Sequence, residues 1–183
     1  MILLSFLTFA KYSSLHTSSI ALFFRTVNGL DALDRAILRM LQEDGRITNA
    51  ELAARIGLTA APTLGRVRRL ERDGFIRKYV ALVDPAKLGK PVTAFVAVIM
   101  KSHGQQADAS FRRAVAKLPE VLECHHIAGE EDYLLKVVAA SPTDYERFVL
   151  GRLLKVPAIE KVKTTFVLSS SKVDTRIPVE PEG

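Results

Sequence analysis

Thiol chemistry is nearly missing from this chain: cysteine occurs once, at Cys124, and tryptophan not at all. One thiol closes no internal disulfide and gives no cysteine pair to a zinc cluster, so disulfide-framed and zinc-ribbon folds drop out and a reducing cytoplasm fits. Long apolar runs are scarce too. Residues 2–10 are mostly apolar for nine positions and residues 20–24 for five, whereas a membrane-spanning helix needs roughly 18 or more. Lys11 follows the first run instead of preceding it, which is the wrong order for a secretory leader. Residues 1–28 are therefore expected to be a poorly ordered extension.

What is present describes ordinary globular protein, with 48% hydrophobic and 25% charged residues in a chain of 183. That length has room for one large domain or two small ones. Acid is what the middle of the first half lacks. Residues 45–80 carry eight basic side chains, seven of them arginine, against three acidic ones, and such a patch attracts polyanions.

The helical period is clear from Leu30 onward. Leu33, Ile37 and Leu41, with Leu30, Ala36 and Met40 beside them, recur at three- and four-residue spacing up to Asp44-Gly45. Thr48-Asn49-Ala50-Glu51 then has the form of a capping box, opening a short helix with Leu52, Ala53 and Ile56 buried and Gly57 as its stop. Thr59 is placed to cap a third helix that has Pro62 in its first turn and runs through Leu64, Val67 and Leu70 to Gly74. Residues 75–83 follow as a β wing. Together residues 29–83 read as a winged helix-turn-helix, with a linker over 84–90.

At 100° per residue the third helix puts Leu64, Val67 and Leu70 on one side. Ala61, Gly65, Arg68, Arg69 and Arg72 gather opposite them, with Arg66 at the margin and no acid expected to neutralise the face. A solvated basic face is the ordinary meaning of such a run. On the last helix of a tri-helical unit it means contact with duplex DNA: guanidinium forks on guanine edges and phosphates, and a helix N-terminus donating to backbone oxygens. The candidate DNA contacts are Arg46, Thr48, Asn49, Thr59, Ala61, Thr63, Gly65, Arg66, Arg68, Arg69 and Arg72. Gly65 costs a helix interior about 1 kcal/mol relative to alanine, so either backbone approaches DNA there, a base contact is missing, or drift is tolerated.

The second half changes period. A strand over 92–100 precedes a helix with Ala107, Phe111, Ala114, Val115 and Leu118 in phase and Pro119 as its stop. Strands at 121–127 and 133–139 flank a turn at 128–131, Ser141-Pro142 opens a helix bearing Tyr145, Phe148 and Val149, and 159–168 is the last strand. The order is βαββαβ, a ferredoxin-like domain over 91–176 with a tail at 177–183, so the whole chain is α+β. Phe95, Ala97 and Ile99 oppose Val96, Val98 and Met100 across the first strand, although both helices of this fold lie on one side. An apolar second face predicts that another subunit covers it. A two-fold dimer follows, carrying two recognition helices suited to a pseudo-palindromic operator.

The ordered set of motifs resembles the Lrp/AsnC (leucine-responsive, feast/famine) family of transcriptional regulators. It runs through Leu30-Asp31-Ala32-Leu33-Asp34-Arg35-Ala36-Ile37-Leu38, residues 45–53, residues 57–70, Gly74-Phe75-Ile76 and Asp84-Pro85-Ala86-Lys87-Leu88-Gly89, and the match covers about residues 30–178. Two departures stand out. Thr59-Ala60 stands where the family usually has Ser-Pro, and Gly65 where it commonly carries a long basic side chain. The resemblance implies a DNA-binding regulator, a RAM/ACT-like sensing domain, dimers that often assemble into octamers, and an amino acid or related metabolite as effector, with no other cofactor. It further implies an effector site at Gly129-Glu130-Glu131-Asp132-Tyr133 with Thr164 and Thr165 nearby. There glycine would admit backbone amides to a carboxylate, acids would hold an α-ammonium and threonine hydroxyls would complete the shell. A plain acidic hairpin turn with Tyr133 in the core is the alternative.

An enzyme is not expected. Cys124, His125 and His126 are adjacent, and neighbours on a strand face opposite ways, so they do not close on one metal ion. No nucleophile triad, phosphate-cradling loop or catalytic carboxylate pair stands out. Because some relatives of the family are haem-precursor decarboxylases, an enzyme of that kind stays open as the alternative, as does a subunit that only pairs with a true regulator.

Overall fold

The computed structural model describes residues 29–179, so the extension expected at 1–28 lies outside the described residues. Two compact units emerge, one from residues 29–80 with 174–179 and the other from residues 81–173. No helix among the described residues is long and apolar enough to cross a membrane.

Three helices make the first unit: α1 (Ala32–Glu43), α2 (Asn49–Ile56) and α3 (Ala60–Arg72). The Thr48 box forms as its spacing predicts, with the Thr48 hydroxyl accepting the Glu51 amide and Glu51 accepting the Thr48 amide. The Thr48 amide and then its hydroxyl hold the Glu51 carboxyl below its ordinary value. A second box lies at α1, where Asp31 accepts the Asp34 amide at 2.8 Å and Asp34 accepts the Asp31 amide at 3.2 Å. Gly57 (φ 71°) and Gly74 (φ 80°) end α2 and α3 in left-handed backbone that a side chain would strain. Leu30, Ile37, Leu52, Val67 and Leu70 close the core between the helices, each such burial stabilising by about 1.5–3 kcal/mol.

Two expectations here need correction. Residues 75–83 form no strand. A single extended run makes a ladder only with a partner, and no second strand is paired to it among the described residues; instead the Tyr79 hydroxyl donates to Glu71 of α3 at 3.0 Å. Thr59 holds the N-cap position of α3 but makes no side-chain cap bond, and its carbonyl accepts the Thr63 hydroxyl at 2.9 Å. The chain end also differs from the boundary read in the sequence. From Asp174 it joins the first unit, where the Gln42 side-chain amide donates to the Ile177 carbonyl (3.0 Å) and accepts its N–H (2.7 Å).

The second unit has β1 (Val92–Met100), α4 (Gln105–Val115), β2 (Val121–His126), β3 (Tyr133–Ala139), α5 (Pro142–Gly151) and β4 (Ile159–Phe166), with a 3-10 turn at Leu153–Lys155. The strands lie in the order β2-β3-β1-β4, all antiparallel. This is the βαββαβ arrangement the sequence predicts. Val96, Val98, Leu135 and Val137 project from one face onto Phe111, Phe148 and Leu153. The other face is apolar only along its centre, where Phe95, Ala97 and Ile99 of β1 lie across from Thr165, Lys163 and Lys161 of edge strand β4. Lys136 and Glu123 pair on the same side at 2.9 Å.

Candidate functional site

The basic helix of the first unit divides into two sets of arginines. Arg68 is exposed and has no ion-pair partner among the described residues, and Arg72 is exposed with only its neighbour Asp73 at 3.0 Å. Arg66 and Arg69 turn the other way. The Arg66 guanidinium donates to Asp31 at 2.6 Å and to Asp34 at 2.9 Å, while Arg69 donates to the other oxygen of Asp34. The expectation of a face without acid is therefore corrected: Asp31 and Asp34, at the start of α1, neutralise its margin. Asp34 is fully buried, and a buried carboxylate is stable only when paired and hydrogen-bonded. The amide of Asp34 and then Arg66 hold the Asp31 carboxyl below its ordinary value.

Ala61 and Gly65 are exposed on the outer side of α3, and nothing stands within 4 Å of where a Gly65 side chain would begin. Gly65 therefore fills no packing need. Gly65→Ala is expected to stabilise the first unit by about 1 kcal/mol, read as a raised urea midpoint with unchanged slope. Thr63, in contrast, is fully buried and its hydroxyl is spent on Thr59, so it leaves the set of DNA contacts. The Thr48 hydroxyl is likewise spent on Glu51. Arg46 is exposed, whereas Asn49 is half-buried and lines, with Arg68 and Tyr79, a cleft of about 190 Å³ between the helices.

In the second unit the acidic turn is built partly as a joint. Asp132 accepts the Met100 amide at 2.7 Å through one carboxylate oxygen and faces His103 at 3.2 Å through the other. Tyr133 is buried, donates to Asp108 and lies 4.5 Å from the Phe111 ring. Gly129 and Glu130 are exposed and Glu131 is half-buried. The threonines do not join them. Thr164 faces the helices and shares a 2.5 Å hydrogen bond with the Tyr145 hydroxyl, while Thr165 lies on the opposite face against Phe95. Within one chain, then, the seven residues expected to form the effector site form no single site: two are structural, and the two threonines point apart.

His125 and His126 also point apart, the first 3.2 Å from Glu123 and the second stacked 4.9 Å from the Tyr133 ring. Among the described residues no group of three or more His, Cys, Asp or Glu side chains is placed to hold a metal ion. What sequence reasoning missed was the uptake of Arg66 and Arg69. The signal for it was Asp31 and Asp34 at capping-box spacing, paired with two arginines three residues apart on α3.

Comparison with known proteins agrees with both units. A family model described as winged helix-turn-helix DNA-binding matches residues 30–77, and one described as the Lrp/AsnC ligand binding domain matches residues 93–177. The leucine-responsive regulatory protein of Escherichia coli K12 is 40% identical over 151 residues, covering 82% of this chain and 92% of its own. Among solved structures, a transcriptional regulator of Neisseria meningitidis in complex with L-Met superposes with a TM-score of 0.78 at 38% identity, covering 81% of this chain and 96% of that one. An AsnC family regulator of Agrobacterium tumefaciens gives 0.77 at 38%, with 81% and 97% covered. With a DNA-binding module and a ligand-binding domain matched in this order along most of its length, the chain belongs to the Lrp/AsnC family of transcriptional regulators.

Proposed function

We propose that this regulator reads duplex DNA through the outer side of α3, with Arg68 and Arg72 as its principal cations, Arg46 flanking them, and Ala61 and Gly65 allowing close approach. The exposure of Arg68 without any acid partner among the described residues carries this reading. Arg72 is held only by a surface ion pair, worth about 0–1 kcal/mol and so readily exchanged for a phosphate. The start of α3, where Thr59 offers no side-chain cap, presents backbone amides of the kind that bind phosphate oxygens. With DNA as its partner the protein acts in the cytoplasm, and not as an enzyme; the similar proteins described as regulators support that.

The effector is an amino acid. The Neisseria meningitidis regulator is described with L-Met, and in this chain Gly129, Glu130 and Glu131 keep their polar groups free of ion pairs among the described residues. Calorimetry with a panel of amino acids is expected to give heat of binding for at least one. Silence across the panel, from protein that still shifts DNA, would remove the sensing role.

A second copy covers the open face of the sheet. Phe95 stays 37% exposed at the centre of that face, where a charge would be desolvated on association. Phe95→Glu is expected to shift the protein from dimer, or a larger assembly of dimers, to monomer in sedimentation velocity; an unchanged boundary would contradict this arrangement.

A further inference from the structure

The four side chains Asp31, Asp34, Arg66 and Arg69 share one site that DNA contact alone does not explain. Asp34 is completely buried, and its carboxylate accepts from the Asp31 amide, from Arg66 and from Arg69. Arg66 has a second acceptor, Asp31, at 2.6 Å. For Arg69, Asp34 is the acid partner. Two of the four cations on the last helix are thus drawn onto the start of the first.

Gly65 lies one turn before Arg69 on α3. That position is exposed, and the space above it is open. Arg69 keeps 38% of its side-chain surface accessible even when paired. Arg69 is thus paired without being sealed from solvent.

We propose that Asp34 is a positioning residue that limits sequence-independent binding: it withholds Arg69 from the phosphate backbone and fixes α3 against α1, so that fewer phosphate contacts accompany reading of the operator. Phosphate contacts strengthen binding to every sequence alike, and base contacts only to the right one. Holding an arginine back therefore lowers affinity for every duplex alike, and with it the hold on sequence-independent sites. The inference rests on α3 being the DNA-contacting helix, and an Arg68 control separates the two.

The test is the salt dependence of binding to a duplex of random sequence, measured on the full chain. Asp34→Asn removes the buried charge, releases Arg69 and leaves Arg66 on Asp31, so the slope is expected to steepen by about 0.9 for one more phosphate neutralised. Between 50 and 200 mM salt that is an extra loss of about 3.5-fold in affinity. Adding Arg69→Gln to Asp34→Asn is expected to return the slope to the wild-type value. A folded Asp34→Asn protein whose slope is unchanged or shallower overturns the proposal. Should Asp34→Asn fail to fold, as circular dichroism would show, Arg69→Gln alone decides: an unchanged slope supports the withheld arginine, and a slope shallower by about 0.9 overturns it. Arg68→Gln serves as the control for the helix itself. If it leaves the slope unchanged, α3 is not the DNA-contacting element, and that reading fails separately.

Discussion

Replacing both Arg68 and Arg72 by glutamine is expected to make the salt slope of DNA binding shallower by about 1.8, which is about 0.9 for each phosphate no longer neutralised. Affinity at low salt should fall by at least roughly tenfold per arginine, because a charge-assisted hydrogen bond contributes about 1.5–3 kcal/mol. The expectation follows from exposure. Both side chains stand clear of the core, one without an acid partner among the described residues and one with only Asp73. Neither stabilises the fold, so the melting temperature should stay put while binding collapses. A loss of binding accompanied by an equal loss of stability would assign these arginines to the scaffold instead. Measuring a gel shift and a melt on the same preparation separates the two.

Phe111→Ala is expected to destabilise the second unit by about 3–5 kcal/mol, the usual cost of emptying an aromatic site in a core. Phe111 has no exposed surface, packs against the buried Tyr133 ring at 4.5 Å and ties α4 to the sheet. The change should appear as a lower urea midpoint for the unfolding step of the sheet domain, compared at one protein concentration so that self-association does not shift it. If dimers carry the reading helices, this variant should also bind DNA more weakly without any change at α3. A destabilisation below about 1 kcal/mol would mean that the site collapses around the smaller side chain.

The fold was legible because each local signal had a local cause. Thr48 and Glu51 form their box, Gly57 takes the left-handed turn, and the alternation along β1 sorts Val96 and Val98 inward from Phe95 and Ala97. The wing was not legible, since 75–83 has strand-like residues but no paired partner among the described residues, and pairing is a property of two segments. The basic side of α3 was half legible. A helical wheel finds which residues leave the hydrophobic stripe, but not whether a distant acid draws them back, as Asp34 draws Arg69 across 35 positions of sequence. Thr63 and Thr164 failed for a related reason: short hydroxyl side chains find nearby backbone or side-chain partners and turn inward.

The acidic turn at 129–133 shows the limit most clearly. Gly129, Glu130 and Glu131 remain exposed or half-exposed where the motif puts them, while Asp132 is committed to the Met100 amide and Thr164 to Tyr145. Spacing along one chain does not say which polar side chains bond back onto their own backbone and neighbours, so sequence indicated the parts and not their arrangement.

Selection of bound duplexes from random sequence, run in parallel with the wild-type chain and Arg68→Gln, bears most directly on whether α3 reads DNA. The wild type should enrich a pseudo-palindrome whose half-sites lie about one or more helical turns apart, and Arg68→Gln should lose or relax that motif. Recovery of the same motif at the same strength by both proteins would show that the outer side of α3 does not contact the operator.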